Sequence, residues 1–214
     1  MPFFPTAKGF YPKTPAPAWT PASLADLDWW VRADELVMGV GFSVEQWVDK
    51  SGGGNNAVQA DPLKQGVLFS TIALINNQPG VLMDGLTMRY GKPATTSQWL
   101  AMVLVDNTLV DLDGIYGDEG ADVGVRYRTT PAFEGSGGGY AVTRQPSSFA
   151  VQPLYVEFTN SLPGAANGFG GYFPGGGRNA HCWLVECIGC TAQPSAGDLT
   201  QLRSYIEDRY GFTP

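Results

Sequence analysis

The four residues Cys187-Ile-Gly-Cys190, with His181 and Cys182 shortly before them, are the first candidates for chemistry. A zinc site needs four ligands that converge in a tetrahedron. On a regular strand His181 and Cys187 share a face while Cys182 points the other way, which leaves three groups able to meet. A redox CxxC normally precedes a helix in a thioredoxin-like context, which is absent. We therefore expect no metal site and read the cysteines as small buried apolar residues.

Catalytic side chains are equally sparse. His181 is the only histidine, so Ser-His-acid chemistry would have to pass through it, and no nucleophile-elbow motif accompanies it. Glycosidases need two carboxylates that face each other across the sugar, about 5–9 Å apart. Glu157 and Glu186 lie on separate predicted strands, without the alternating acids that such enzymes place along one strand. The sequence therefore predicts no catalytic residue and no enzymatic activity.

An acidic, turn-rich stretch between residues 106 and 122 is the place where a cation could bind. Asp111-Leu-Asp113-Gly114 is similar to the start of a calcium loop, and Asp118 follows it. The downstream bidentate glutamate of an EF-hand is missing. We expect a solvated acidic loop and no cofactor, with a Ca²⁺ site as the alternative.

Glycan binding would use exposed aromatic faces beside polar loop groups. The candidates are Trp29, Trp30, Tyr90, Tyr172 and Phe173. Trp29 and Trp30 are adjacent, so on a strand they point to opposite sheet faces. The competing interpretation, which we favour, is that both pack under the N-terminal segment or under a terminal helix.

Charge and composition exclude several classes of partner. The 214-residue chain has a formal net charge of −7, a pI near 4.6 and no basic run, which argues against binding of nucleic acid. No apolar stretch approaches the roughly 20 residues of a membrane span, and the N-terminus lacks the apolar region of a signal peptide. We expect a protein made in a cytoplasm. Charged residues make up 15% of the chain, below the usual ~25%, which suggests that some surface faces another protein.

Short apolar runs separated by Gly, Asn, Asp and Pro clusters predict an all-β sandwich. The predicted strands are Leu27–Arg32, Val44–Val48, Val67–Phe69, Gly80–Met83, Trp99–Val105, Val123–Arg128, Tyr140–Thr143, Leu154–Thr159 and Cys182–Ile188. The run from Trp99 to Val105 is apolar throughout, as in a central strand covered on both faces. One helix is predicted at about 196–210, because Ser195 can cap it, Asp198 follows three residues later and Gly211 can end it.

Residues 1–22 form a separate N-terminal arm, ahead of a domain over residues 23–214. Its six prolines favour extended polyproline-II geometry. The arm also carries the aromatic residues Phe3, Phe4, Phe10, Tyr11 and Trp19. Rings on a stiff strap suit docking on a partner subunit. The alternatives are an arm that packs across its own domain and a free tail.

Two groups of motifs carry a resemblance to a known family. The first group comprises Leu27-Asp-Trp-Trp-Val-Arg-Ala-Asp34, Val44-Glu-Gln-Trp-Val-Asp-Lys-Ser-Gly-Gly53, Asn55-Asn-Ala-Val-Gln-Ala60 and Gln78-Pro-Gly-Val-Leu-Met-Asp-Gly85. The second comprises Cys182-Trp-Leu-Val-Glu-Cys187 and Leu199-Thr-Gln-Leu-Arg-Ser-Tyr-Ile-Glu-Asp-Arg-Tyr-Gly211. Together they resemble the concanavalin A-like (laminin-G-like) jelly-roll modules of bacteriophage virion proteins and bacterial surface proteins.

The resemblance covers roughly residues 24–212, and the middle, residues 86–177, matches only in strand rhythm. Met83 stands where the family usually has Phe. The resemblance implies a concanavalin A-like jelly-roll β-sandwich, used in that family for carbohydrate binding or virion structure.

These observations predict a bacteriophage virion structural protein, a capsid decoration or cement protein attached to the major capsid protein lattice. The geometry of a lattice favours a homotrimer. The alternative is a carbohydrate-binding, lectin-like module of a phage tail or bacterial surface protein.

Overall fold

The computed structural model describes residues 19–84, 90–91, 97–106, 114–118, 124–128, 132–136, 140–145, 152–160, 167–169 and 180–214. Over these residues the chain is mostly β. The strands are β1 (Leu27–Met38), β2 (Val44–Asp49), β3 (Ala57–Val58), β4 (Val67–Ile72), β5 (Gln78–Asp84), β6 (Tyr90–Gly91), β7 (Trp99–Asp106), β8 (Gly114–Asp118), β9 (Gly124–Arg128), β10 (Ala132–Ser136), β11 (Tyr140–Arg144), β12 (Pro153–Asn160), β13 (Asn167–Phe169) and β14 (His181–Cys190).

One α-helix of the described residues, α1 (Ala196–Tyr210), follows the last strand. The Ser195 hydroxyl accepts a hydrogen bond from the Asp198 backbone N–H at 3.1 Å, which caps the first turn. Gly211 ends the helix at φ 74°, a left-handed conformation that glycine adopts without a steric penalty. The predicted helix and both of its signals are confirmed.

The strands pair antiparallel in the order β10-β9-β8-β13-β6-β3-β2-β1-β14-β7-β12-β11, and the β4–β5 hairpin joins at β14. The two ends of this order meet, because the Phe133 N–H of β10 donates to the Gln145 side chain just after β11. The sheet therefore curves back on itself and encloses an apolar interior, which gives the sandwich-like character expected of the sequence.

Strand β7 separates two apolar clusters. Leu100, Met102 and Leu104 face the interior of the curved sheet. Alternate residues of the same strand face the second cluster, which lies under α1; they are Trp99, Ala101, Val103 and Val105. Each of these side chains is buried, so the prediction of a central strand covered on both faces is confirmed.

Strand β1 is longer than predicted; it lies between β14 and β2 at Val31 and then continues beside β2 after it leaves β14. Its first half pairs with β14 up to Arg32, which lies opposite Glu186. Its second half pairs with β2, where Leu36 lies opposite Trp47. The register shifts between Val31 and Leu36, at the place where β1 turns away from β14.

Candidate functional site

One polar cluster in the described residues surrounds a single buried carboxylate. Glu186 of β14 has no exposed surface. Its Oε1 accepts hydrogen bonds from Trp30 Nε1 at 2.5 Å and from the Tyr205 hydroxyl at 3.0 Å. Its Oε2 accepts from the Tyr210 hydroxyl at 2.5 Å. The carboxylate therefore joins β14, β1 and α1 through three side-chain donors.

A β-bulge in β14 aims Glu186 at the helix. Leu184 lies opposite Leu104 of β7, while Glu186 lies opposite Val103, so β14 contains one extra residue at this point. Val185 consequently packs in the cluster under α1, and Glu186 beside it points to the same side. Without the bulge, strand alternation would place these neighbours on opposite faces.

Two arginines, Arg32 and Arg209, lie near the buried carboxylate. Arg32 donates to the Tyr205 hydroxyl at 3.1 Å and to Asp34 at 2.5 Å, and Arg209 donates to Asp34 at 2.9 Å. Burial raises the pKa of Glu186, while hydrogen bonds from Tyr210 and Trp30 and the positive charges of Arg32 and Arg209 oppose that shift. The acid is thus held inside a polar shell. Because Glu186 has no exposed surface, its carboxylate cannot contact a substrate in this conformation. Its hydrogen bonds hold α1 against β1 and β14.

A second carboxylate with a structural role, Asp49, lies at the end of β2. Asp49 Oδ1 accepts from the backbone N–H groups of Trp30 and Ser51, both at 2.9 Å. Its Oδ2 accepts from the Ser51 hydroxyl at 2.8 Å and from the Asn55 N–H at 2.9 Å. The carboxylate thus holds the glycine-containing turn that follows β2 against β1, which gives a local physical reason for Asp49 and Ser51 in the motif that ends at Gly53.

The other carboxylate considered for hydrolysis, Glu157 of β12, is also buried. It accepts two hydrogen bonds from Arg203 of α1, at 2.8 and 2.9 Å. Both Glu157 and Glu186 are therefore engaged under α1 rather than facing each other across a cleft.

Two of the five candidate glycan contacts are buried, as the favoured interpretation of them expects. Trp29 is 0% exposed in the interior cluster, and Trp30 is 5% exposed in the cluster under α1. Neither offers a ring face to a sugar, because adjacent strand residues point to opposite faces and both faces are covered. Tyr90 is in β6, but its side chain lies outside the described residues, as do the whole of Tyr172 and Phe173.

Most of the arm and of the acidic stretch also falls outside the described residues. This applies to Phe3, Phe4, Phe10, Tyr11, Asp111 and Asp113, and to the side chain of Asp118 at the end of β8. Among the described side chains, no group of three His, Cys, Asp or Glu could hold a metal ion. Trp19 is partly buried, and its ring makes an edge contact with Tyr205, with centroids 6.3 Å apart.

All three cysteines are buried, as expected, but their facing differs from the prediction. Cys182 and Cys187 both lie in the interior cluster, whereas Cys190 lies under α1. The bulge between Leu184 and Glu186 shifts the alternation of the strand by one residue. The prediction that Cys182 and Cys187 point to opposite faces is therefore wrong. Burial raises the pKa of the Cys187 thiol, and it raises that of Cys190 to about 12.

A cleft of about 690 Å³ lies where β11 and β12 meet the residues after α1. Its lining includes Thr143, Gln145, Gln152, Tyr155 and Phe212. Arg144 also lines the cleft, and its guanidinium group donates to the backbone carbonyl of Pro214. The cleft thus combines amide and hydroxyl groups with the partly buried ring of Phe212, whereas the Tyr155 ring is only 3% exposed.

An apolar surface lies at the turn between β1 and β2. Val40 is 86% and Phe42 73% exposed, and Met38 and Val67 are exposed beside them. A bridge between Ser43 and Val67 and a hydrogen bond from Leu68 N–H to the Phe42 carbonyl join the turn to β4. We call these four apolar side chains the hairpin surface. The sequence signal for it was the run Val37-Met-Gly-Val-Gly-Phe42, whose apolar residues stand where a turn normally carries polar ones.

No helix in the described ranges is long and apolar enough to cross a membrane. No family model matches the chain, and neither the curated proteins nor the solved structures contain a match.

Proposed function

We propose that this chain is a structural protein of a bacteriophage virion, a capsid decoration protein that attaches to the major capsid protein lattice. The proposed fold is a concanavalin A-like jelly roll, in agreement with the curved antiparallel sheet and the closing helix. The observation that carries the proposal is the exposed hairpin surface. It is a place where a second protein can bury apolar side chains that the domain itself leaves in water.

The chemistry of the turn supports this use. Turns are normally rich in polar residues and glycine. Here Gly41 takes a φ of 69° and supplies the sharp reversal, while Val40 and Phe42 project on either side of it. Burying two such side chains against a partner contributes about 1.5–3 kcal/mol each. A small rigid protrusion of this kind suits insertion between subunits of a lattice.

The N-terminal arm is the second proposed contact. Phe3 and Phe4 are its outermost rings, and the arm enters the described part of the chain at Trp19, which is anchored on α1. In this proposal the protein is made in the bacterial host cytoplasm, assembles on the particle as a homotrimer and needs no cofactor.

The test uses particles assembled without this protein. Purified full-length protein is added, and the bound fraction is measured by co-sedimentation across a concentration series. The double variant Val40→Ser/Phe42→Ser is expected to bind about 100-fold more weakly, since each 1.4 kcal/mol changes affinity about tenfold. Leu74→Ser is the matched control, because Leu74 is exposed at the far end of β4. Wild-type protein that fails to sediment with the particles would contradict the proposal.

A carbohydrate-binding module is the second candidate, and the cleft beside β11 and β12 favours it. Its volume lies within the range of small-molecule sites, about 300–1,000 Å³. The amide groups of Gln145 and Gln152 and the hydroxyl of Thr143 are suited to sugar hydroxyls, and the partly buried Phe212 ring is suited to a sugar C–H face. A glycan array probed with and without Ca²⁺ tests it, and binding that is lost in Gln152→Ala would place the sugar in this cleft. A silent array in both conditions would remove this candidate.

A further inference from the structure

A groove of about 360 Å³ opens between β1 and the β4–β5 hairpin. Strand pairing explains it: β14 pairs with β5 over residues 181–184 and with β1 over residues 186–190, so β1 leaves β14 where β5 joins it. The groove is lined by Ala33, Asp34, Leu36, Met38, Leu68, Ser70 and Pro79. Its lining is mainly apolar, and its outer end reaches Met38 of the hairpin surface.

The chain ahead of β1 runs toward this groove. Asp26 lies beside Asp198 in the first turn of α1, since both line one small cavity. Trp19 packs against Tyr205, which is about 10 Å further along the helix axis. Followed backwards from Asp26 to Trp19, the chain therefore travels along α1 toward its C-terminal end. In the next turn Arg209 is bonded to Asp34 at the near end of the groove.

The length of the preceding segment matches the groove. Arg32 contacts Tyr205 and so marks the level of Trp19 on β1. From Arg32 to Met38 the strand rises about 20 Å. A polyproline-II chain covers about 25 Å between Trp19 and Tyr11. Phe10 and Tyr11 would then arrive at the apolar outer end of the groove.

We propose that residues 10–18 occupy this groove in their own molecule, with Phe10 and Tyr11 packed against Met38 at its outer end. This inference goes beyond virion attachment and does not depend on it. Phe3 and Phe4 remain beyond the groove, where they are available to a partner.

The first test is limited proteolysis of the full-length protein by trypsin, with cleavage after Lys13 followed by mass spectrometry. Ser70→Trp fills the groove and is expected to speed this cleavage at least about tenfold, because the displaced arm spends more time open. Thr71→Trp is the matched control, since Thr71 is exposed on the same strand but does not line the groove. Equal cleavage rates in the wild type and both variants would overturn the proposal.

The arm itself offers a second pair of variants. Phe10→Ser/Tyr11→Ser should speed cleavage after Lys13 as much as Ser70→Trp does, whereas Phe3→Ser/Phe4→Ser should leave it unchanged. Acceleration by the outer pair alone would refute the placement of Phe10 and Tyr11. All of these variants change side chains that are exposed or outside the described core, and a far-UV circular dichroism spectrum checks that each one folds.

The third test separates docking within one molecule from exchange between molecules. Equal amounts of ¹⁴N and ¹⁵N protein are mixed and cross-linked through amines. The expected product joins Lys8 or Lys13 to Lys64, which lies just before β4 and has an exposed side chain. Cross-links of uniform isotope support the proposal, and a statistical share of mixed-isotope pairs overturns it in favour of arm exchange. No particle is used, so failure here is distinguishable from failure of capsid binding.

Discussion

Replacing Glu186 by Gln should change how the stability of the domain depends on pH. Burial raises the pKa of Glu186 above the ordinary value of 4.5. A carboxyl group with a raised folded-state pKa contributes its full stability below the unfolded-state pKa and loses it as pH rises through the folded-state pKa. The neutral amide cannot ionise, so Glu186→Gln escapes that loss. Above about pH 4.5, the free energy of unfolding of the variant should therefore increase relative to that of the wild type.

The hydrogen bonds around Glu186 set the starting difference at low pH. An amide oxygen can still accept from Trp30 and Tyr205, and the amide nitrogen can donate to the Tyr210 hydroxyl. We expect the variant to lie within about 1 kcal/mol of the wild type at pH 4. For each unit by which the folded-state pKa exceeds its unfolded value, the difference should then shift by about 1.4 kcal/mol in favour of the variant. Glu186→Ala would instead strand three buried donors and cost about 3–5 kcal/mol.

Urea unfolding followed by tryptophan fluorescence, at half-unit steps from pH 4 to pH 8, measures these free energies. Titrations of all other groups cancel in the difference between the variant and the wild type. Glu45→Gln removes one exposed negative charge and serves as the control. A difference that stays constant, or that moves in favour of the wild type with rising pH, would refute the reasoning. It would mean that Arg32, Arg209 and the three donors outweigh burial.

Three further predictions concern packing, charge and thiols. A Cβ at residue 189 would lie 2.0 Å from Trp29 Nε1, so Gly189→Ala should lower the free energy of unfolding by at least about 1–3 kcal/mol in urea melts. Gly197→Ala, with only Ser195 Oγ nearby at 3.7 Å, should be neutral or stabilising by up to about 1 kcal/mol. Arg203→Ala leaves Glu157 buried without its bidentate partner and should cost about 3 kcal/mol, whereas a loss below 0.5 kcal/mol, on the order of an exposed pair, would contradict this. The three buried cysteines should react with a thiol reagent only when the domain unfolds. The absorbance of the released chromophore at about 412 nm should then rise at the same rate as the tryptophan fluorescence changes.

The helix and the longer strands could be predicted because their signals are local. Ser195 and Gly211 delimit α1 through contacts within a few residues, and apolar runs such as Trp99–Val105 become central strands. The short strands β3, β6, β8, β10 and β13 were not predicted. β3 has only two residues, and the other four contain glycine, which weakens the strand pattern.

The site was harder to predict because its geometry depends on a single bulge. A one-residue irregularity in β14, set by pairing with a strand some 80 positions earlier, decides the faces of both Glu186 and Cys187. The sequence did contain a signal, since Glu186 is the one charged residue within the apolar run Cys182–Ile188. A charge at such a position needs partners, and the tyrosines of the following helix were the natural candidates.

The hydrogen bonds of Glu186 explain how α1 can hold Trp19, the first described residue, in one place. Leu199, Leu202 and Ile206 bury a stripe of α1, but apolar contacts are non-directional and tolerate a shift of the helix along the sheet. Hydrogen bonds from Tyr205 and Tyr210 to one carboxylate fix the helix in a single register, because each hydroxyl reaches its oxygen in only one position. The Tyr205 ring is therefore fixed too, and it is the ring on which Trp19 packs. In this way a buried polar cluster determines where Trp19 packs, and this position is the start of the path that we propose for residues 10–18.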